Sequence, residues 1–248
     1  MSGHSKWSTI KRKKGANDAK RGKLFTKLIR EITVAARNGG DESTNPHLRT
    51  ATQNARTANM PQVTIERAIR RGTGDEPGVV YEEGLYEGYG PGGVAVMVET
   101  LTDNKNRTVS EIRHVFSKYN GNLSENGSVA WMFEQKGLIE VDKSAMSEED
   151  LMLIVVDAGA EDIQDVEDVY EIVTSVVSFE EVKQALDGNS IACAQASLVR
   201  MPQNMLEVQG KVVEQIIRLL EALEDLDDVQ KVYSNFDVQE EELQNLMT

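Results

Sequence analysis

The clearest chemical pattern in the sequence is a row of cations along the first predicted helix. Between Asp18 and Asn38 the apolar residues recur at i, i+3, i+4, i+7, i+10 and i+11, the stripe of an amphipathic helix. At 100° per residue, a set of lysines and arginines falls within an arc of about 100° on the opposite side. That arc holds Lys20, Lys23, Lys27, Arg30 and Arg37, and Arg21 adjoins it in sequence. Repeated cations on one rigid surface suit a phosphate backbone, so this face predicts nucleic-acid binding.

Two further groups of cations extend the predicted interface. The segment before the helix contributes Lys6, Lys11, Arg12, Lys13 and Lys14, and the third predicted helix contributes Arg67, Arg70 and Arg71. Trp7 lies inside the basic segment, where it would either stack on an unpaired base or anchor the segment to the helices. The third helix would enter a major groove or grip phosphates, and its sequence does not decide between duplex DNA and structured RNA.

A solvated helix face is the ordinary explanation of such a charge run. Two observations favour binding. The face is almost single-signed, whereas solvated faces usually mix signs to gain i,i+4 pairs. The charge is also unevenly distributed: residues 1–74 hold 16 Lys+Arg and 5 Asp+Glu, a local charge of +11, whereas residues 75–248 hold 11 and 36, a charge of −25. The net charge of −14 therefore hides a basic part that nucleic acid would contact.

A weaker signal lies farther along the chain. Arg107, His114 and Lys118 share one face of a predicted helix, which indicates a secondary RNA or protein contact. The segment before that helix, 103–108, supplies either an N-cap at Asn106 or Thr108, or an anion site assisted by Arg107. The glycines at 90–93 predict a tight turn rather than a phosphate loop, because the Lys-Ser/Thr pair is missing.

Catalysis and cofactor chemistry find no support in the sequence. The three histidines lie far apart without metal-ligand spacing, and Cys193 is the single cysteine, so no internal disulfide or zinc knuckle is expected. No motif of a nucleophilic enzyme is present. The longest aliphatic run, 151–156, is far too short for a membrane span. We therefore predict a non-enzymatic protein with no metal, no cofactor, no small-molecule substrate and no membrane contact.

The elements that must position these residues fall into three parts. Three helices are predicted first: one to Asn38, a second from Asn45-Pro46 to about Asn59, and a third from Pro61 to Gly72. From residue 86 the pattern changes to strands alternating with helices. Residues 136–200 give the order β-α-β-β-α-β of a ferredoxin-like unit. Two strand-helix-strand halves, 93–134 with a strand at 128–133, and 205–235 with a strand near Leu206, would form a second such unit.

These elements predict a multidomain α and α+β protein. Its N-terminal three-helix domain precedes two ferredoxin-like α+β domains, one inserted in the other. The predicted boundaries are a flexible basic arm at 1–16, a helical nucleic-acid-binding domain at 17–76, a discontinuous α+β domain at 80–135 plus 201–240, and an inserted α+β domain at 136–200.

Several short motifs resemble those of one protein family. They include Gly3-His4-Ser5-Lys6-Trp7, the segments 18–27 and 59–69, the run Tyr86 to Gly93, and Asp103 to Thr108. With these motifs the chain resembles the YebC/PmpR family over its whole length, most closely from residue 3 to about 140. The resemblance implies one helical and two α/β domains. It also implies a probable transcriptional regulatory protein that binds DNA in the cytoplasm.

The same resemblance implies a second role. The family includes the mitochondrial translational activator of cytochrome oxidase subunit one, and bacterial members are linked to the ribosome and to relief of stalled translation. Because the match begins at Gly3, no transit peptide is expected and the location would be cytoplasmic. The expected partner is therefore DNA, or alternatively ribosomal RNA in a ribosome-associated translation factor.

Overall fold

The computed structural model describes residues 18–239, with side chains from residue 21 onward. Within that range it contains seven α-helices and ten strands, arranged as a helical part followed by two four-stranded sheets with helices. The predicted fold class is thereby confirmed. No helix in the described range is long and apolar enough to cross a membrane, and no group of His, Cys, Asp and Glu there is placed to hold a metal ion.

Three helices form the first part, as the apolar periodicity predicts. They are α1 (Asp18–Ala35), continued by a 3-10 turn at Ala36–Asn38, α2 (Pro46–Thr57) and α3 (Gln62–Thr73). The Asn45 side chain caps α2 by accepting a hydrogen bond from the Leu48 amide. Gly74, in the left-handed conformation at φ 88°, ends α3.

The first sheet has the strand order β3-β1-β2-β9. Its elements in chain order are β1 (Glu82–Tyr89), β2 (Ala95–Thr102), α4 (Lys105–Lys118), β3 (Asn122–Leu123), α7 (Lys211–Glu224) and β9 (Val229–Ser234). Helices α4 and α7 bury their apolar faces against β2 and β9, and Phe116 and Phe236 are the largest side chains fully buried in this core. Two short strands, β8 (Leu206–Glu207) and β10 (Phe236–Asp237), pair separately in parallel.

Two of the strand predictions for this sheet are wrong. No strand occupies 128–133: residues Ala130–Met132 form a 3-10 turn, and strand β4 begins only at Phe133. The strand near Leu206 does not join the four-stranded sheet either. The position beside β2 is instead taken by β1, which pairs with β2 along its whole length. The antiparallel hairpin around the turn at Pro91–Gly93 therefore replaces the long-range pairing that was expected.

The second sheet has the order β5-β6-β4-β7. Its elements are β4 (Phe133–Asp142), α5 (Glu148–Asp157), β5 (Ala160–Val166), β6 (Val169–Thr174), α6 (Phe179–Gly188) and β7 (Cys193–Pro202), which is the predicted β-α-β-β-α-β order. Both helices pack on one side over a core that includes Ile139, Leu151 and Ile172.

Contacts divide the described chain into two compact units. The first contains the residues up to 30, residues 79–134 and those from 201 onward; the second contains residues 31–78 and 135–200. Helix α1 thus begins in one unit and ends in the other. The domain boundaries predicted from the sequence remain predictions.

Candidate nucleic-acid interface

Helix α3, in the second unit, carries arginines on the face opposite its buried stripe. Ile65 and Ala68 are buried, whereas Arg67, Arg70 and Arg71 are exposed and fall within about 100° of one another around the helix axis. The structure therefore brings together the three arginines that the sequence predicts on this helix.

The three arginines differ in their partners. Arg70 donates from Nε to Glu76 Oε1 at 2.7 Å. The aliphatic part of the Arg71 side chain packs beside Gly78: a Cβ added to Gly78 would lie 3.1 Å from Arg71 Cβ. Within residues 21–239, neither Arg67 nor Arg71 forms an ion pair. Two guanidinium groups on this face thus remain open to an external anion.

One residue of this surface was missed as a site residue. Val63 is 63% exposed one turn before Arg67, so an aliphatic side chain lies on the arginine face. Its i,i+4 spacing from Arg67 was the available signal. Arg37, which the sequence places on the basic arc of the first helix, lies in the 3-10 turn after α1; it is exposed and has no ion-pair partner in the described range.

The α1 cations of the first unit are engaged within the protein. Lys23 Nζ lies 3.0 Å from Asp225 Oδ1, and Lys27 Nζ donates to the Glu224 carbonyl at 3.0 Å. Both acceptors lie just after or at the end of α7. The face that the helical wheel predicts to meet phosphates is therefore turned, at these positions, toward an acidic segment of the same chain.

Arg30 is held most firmly of these cations. Its Nη1 donates to Asp228 Oδ1 at 3.0 Å, to the Leu101 carbonyl at 3.1 Å and to the Asp227 carbonyl, and its side chain is only 12% exposed. The guanidinium also lies 5.3 Å from the ring centroid of Tyr81. Lys23, Lys27 and Arg30 are therefore held by contacts within the protein, and phosphate contacts at these positions stay a prediction.

Asp228 is the centre of this network. Its Oδ2 accepts from Arg107 Nη2 at 2.7 Å, from the Thr108 hydroxyl at 2.7 Å and from the Thr102 hydroxyl at 3.0 Å, and the carboxylate is 2% exposed. Burial alone would raise the pKa of Asp228, but the hydrogen bonds from Arg107, Thr108 and Thr102 outweigh it and leave the pKa below its usual value. Asp228 is therefore a buried, ionised anchor for two arginines.

This network lines a groove of about 530 Å³ in the first unit. Its lining includes Arg30, Tyr81, Asp103, Arg107, Glu111, Asp225, Leu226, Asp227 and Asp228. Carboxylates outnumber guanidinium groups here, and the two guanidinium groups already have carboxylate partners. The groove is consequently poorly suited to phosphate.

The segment before α4 is capped differently from the prediction. Asn104, rather than Asn106 or Thr108, is the N-cap and accepts from the Arg107 amide at 3.1 Å. The Arg107 guanidinium is fixed by Asp228 and by Asp103 at 2.7 Å, and these carboxylates raise its pKa further. An anion site assisted by Arg107 is therefore not formed.

The remaining sequence-predicted residues are distributed as follows. His114 and Lys118 are exposed on α4, and Lys118 Nζ lies 5.4 Å from the Tyr119 ring centroid. Arg21 is exposed beside Phe25, 5.4 Å from that ring. Lys6, Trp7, Lys11, Arg12, Lys13, Lys14 and the Lys20 side chain lie outside the residues that the structure describes.

A polar cluster in the second unit fixes α2 against the second sheet's helices. Lys183 Nζ, on a side chain only 4% exposed, donates to the Thr50 hydroxyl at 2.6 Å and lies 3.3 Å from Glu180 Oε1. The other oxygen of Glu180 binds Arg49 Nη2 at 3.0 Å. Asn54 adds two hydrogen bonds to the Ala196 backbone. These contacts hold the helical part that presents α3.

Comparison with known proteins identifies relatives along the whole chain. Residues 5–75 match the model of the TACO1/YebC protein N-terminal domain, and residues 81–236 match that of the TACO1/YebC second and third domain. A probable transcriptional regulatory protein of Desulfosudis oleivorans is 62% identical over 95% of this chain and 96% of its own. A protein of the same description from Thermotoga maritima is 52% identical over 100% and 98%.

A solved structure is similar as well. The crystal structure of a conserved hypothetical protein from Aquifex aeolicus matches with a TM-score of 0.85 and 48% sequence identity, covering 90% of this chain and 93% of that one. Together, the domain models and these relatives cover nearly the entire sequence. The chain therefore belongs to the TACO1/YebC family.

Proposed function

We propose that the protein regulates gene expression by binding duplex DNA through the arginine face of α3. The observation that carries this proposal is the pair Arg67 and Arg71, which are exposed on one face without an ion-pair partner in the described range. The relatives' description as probable transcriptional regulatory proteins supports the regulatory role.

The composition of this face suits a groove. An arginine can pair bidentately with guanine O6 and N7 or hold a phosphate, and an apolar side chain can contact a thymine methyl group. Arg67 would pair with guanine, and Val63, one turn earlier, would contact the thymine methyl group. Arg70 and Arg71, on the same face, would hold phosphates. Phosphate contacts by Arg37 and by the basic residues of segment 1–16 stay separate predictions from the sequence.

A second candidate is a ribosome-associated translation factor whose arginine face binds structured ribosomal RNA. The observation that favours it is the charge of −25 over residues 75–248, because most of the chain would be repelled by a bare duplex. In an assembly of RNA and basic proteins, residues 1–74 could contact RNA and residues 75–248 could contact the basic proteins.

Fluorescence anisotropy with labelled duplexes and RNA hairpins tests the interface. Arg67→Glu combined with Arg71→Glu should weaken binding at least about tenfold, since two phosphate or base contacts become repulsive. Arg218→Glu is a control outside α3: Arg218 lies on α7, its side chain is 68% accessible, and it pairs with Glu214 at 3.6 Å. Equal affinity of the double variant and the wild type, with both folded by circular dichroism, would exclude α3 as the contact surface.

The same titrations distinguish DNA from RNA. A DNA regulator should prefer a specific duplex over random duplex by about 10³-fold or more at fixed salt. A ribosome-associated factor should instead bind an RNA hairpin more tightly than any duplex in a sequence panel and should sediment with ribosomes at low salt.

A further inference from the structure

Helix α5 is apolar on the side that faces away from its core. Leu151 and Val155 are fully buried beneath the helix. On the outer side, Met152, Leu153 and Val156 are 45%, 73% and 54% exposed. A surface helix usually carries polar residues opposite its buried stripe, and a helix that is apolar all round is normally covered.

The loop before α6 comes close to the end of α5 and carries two further exposed aliphatic residues. Gly159 follows α5 and has a positive φ of +96°. It lies close to the loop, because a Cβ added to it would be 2.9 Å from Ser178 Oγ. The two residues that precede Ser178 in sequence are Val176 and Val177, which are 43% and 85% exposed. We call the resulting surface the aliphatic patch; its members are Met152, Leu153, Val156, Val176 and Val177. Several large aliphatic side chains left exposed on one helix face and in the loop near its end are typical of an interaction site.

Carboxylates border the patch. Glu149 is exposed and completes an i, i+3, i+4, i+7 stripe with Met152, Leu153 and Val156, and Asp157 is exposed at the other end. Over residues 136–200 the sequence has 15 Asp+Glu and only 4 Lys+Arg.

The four cations of this segment are already engaged. Lys136 pairs with Glu161 at 3.0 Å, and Lys143 pairs with Asp165. Lys183 is buried against Thr50 and Glu180, and Arg200 also has a partner within the protein. The field around the patch is therefore negative.

We propose that the aliphatic patch is a docking surface for a basic amphipathic helix of a partner protein. The apolar side of such a helix would cover Leu153 and Val177, and its lysines or arginines would meet Glu149 and Asp157. Nucleic acid and anionic membranes carry the wrong charge for this surface. A second copy of the chain would bring the same carboxylates together, which opposes self-association.

The probe is a labelled synthetic 18-residue helical peptide of leucine and lysine, compared with the same peptide carrying glutamate for every lysine. The full-length wild-type protein should bind the lysine peptide at least about tenfold more tightly. Leu153→Asp combined with Val177→Asp should remove most of that affinity, and Glu149→Lys with Asp157→Lys should reduce it severalfold. Val80→Asp, at a residue 72% exposed outside the patch, should leave it unchanged.

Thermal unfolding by circular dichroism checks that the variants remain folded. The Arg67→Glu, Arg71→Glu protein should retain peptide binding, which separates this surface from the proposed nucleic-acid interface. Equal peptide affinity in wild type and in the Leu153→Asp, Val177→Asp variant would overturn the proposal. So would sedimentation equilibrium that shows a dimer in the wild type and a monomer in that variant, since the occupant would then be a second copy.

Discussion

Asp228 joins strand, helix and loop through a single carboxylate. It binds Arg30 and Arg107 and accepts the hydroxyls of Thr102 and Thr108 while almost fully buried. A largely buried guanidinium group, that of Arg30, and an exposed one, that of Arg107, thus depend on one anion. Removal of one partner of a buried ion pair costs more than the pair contributes, because the remaining charge stays desolvated.

Asp228→Asn should therefore lower the free energy of unfolding by about 3–5 kcal/mol. The loss should lie toward the lower end of this range, because the Arg107 side chain is 43% exposed and water can solvate its charge. Urea unfolding followed by circular dichroism measures it. Asp225→Asn is the matched control: Asp225 pairs with Lys23, but its side chain is 72% exposed, so a change of at most about 1 kcal/mol is expected. Equal effects of the two substitutions would contradict the anchoring role.

The same carboxylate predicts a pH dependence. The pKa of Asp228 is lower in the folded protein than its ordinary value. The unfolded chain therefore takes up the proton first as pH falls, and the stability that Asp228 contributes is complete above the unfolded pKa of about 4. It should be lost as pH falls from there through the folded pKa. Unfolding midpoints in urea between pH 6 and pH 3 should fall more steeply for wild type than for Asp228→Asn; parallel curves would refute the assignment.

The α1 cations show what the sequence could not specify at this scale. A helical wheel places Lys23, Lys27 and Arg30 on one polar face, and that placement requires only the 3.6-residue period. Whether the face meets solvent, phosphate or another segment depends on tertiary contacts. The acidic run at 224–228 was visible, but its partner could not be deduced from sequence spacing alone.

At the scale of elements, the helices were predictable, whereas several strands of the first sheet, above all β1, were not. Caps and apolar stripes placed α2 and α3 within a few residues. Strand β1, with the sequence EEGLYEGY, has two glycines and no run of β-branched residues, so propensity argued against it. Its pairing with β2 across a short turn, rather than its own composition, makes it a strand.

Close packing of α1 and α3 depends on Gly72. A Cβ at this position would lie 2.4 Å from the Thr33 backbone oxygen and 2.6 Å from Ala36 Cβ. Neither atom is the end of a flexible side chain, so the helices must separate to accept a methyl group. Gly72→Ala should therefore destabilise the protein by about 1–3 kcal/mol despite the better helix propensity of alanine.

Gly22→Ala provides the comparison for this helix crossing. Gly22 also lies within a helix, but a Cβ there would meet nothing within 4 Å. Alanine at this position should stabilise the protein by up to about 1 kcal/mol. Thermal unfolding monitored by circular dichroism measures both variants. A Gly72→Ala protein as stable as Gly22→Ala would show that the α1–α3 contact is looser than described.

At the scale of the whole molecule, the charge division of +11 and −25 should control how nucleic acid approaches. At 0.15 M salt the Debye length is about 8 Å, so a bound polyanion senses mainly the cations near it; at 0.01 M it is about 30 Å, and the acidic majority also contributes. Distant carboxylates should therefore weaken binding only at low salt.

Neutralising exposed carboxylates tests this directly. Glu149, Asp157, Glu181 and Asp187 are all exposed, and none forms an ion pair within the described residues. Their joint replacement by the corresponding amides should raise the affinity for a labelled duplex or RNA hairpin severalfold at 0.01 M salt and leave it nearly unchanged at 0.15 M. Anisotropy titrations at both salt concentrations measure the ratio of the variant's affinity to that of the wild type at each one. An equal gain at both would mean that these carboxylates act locally, beside the bound nucleic acid.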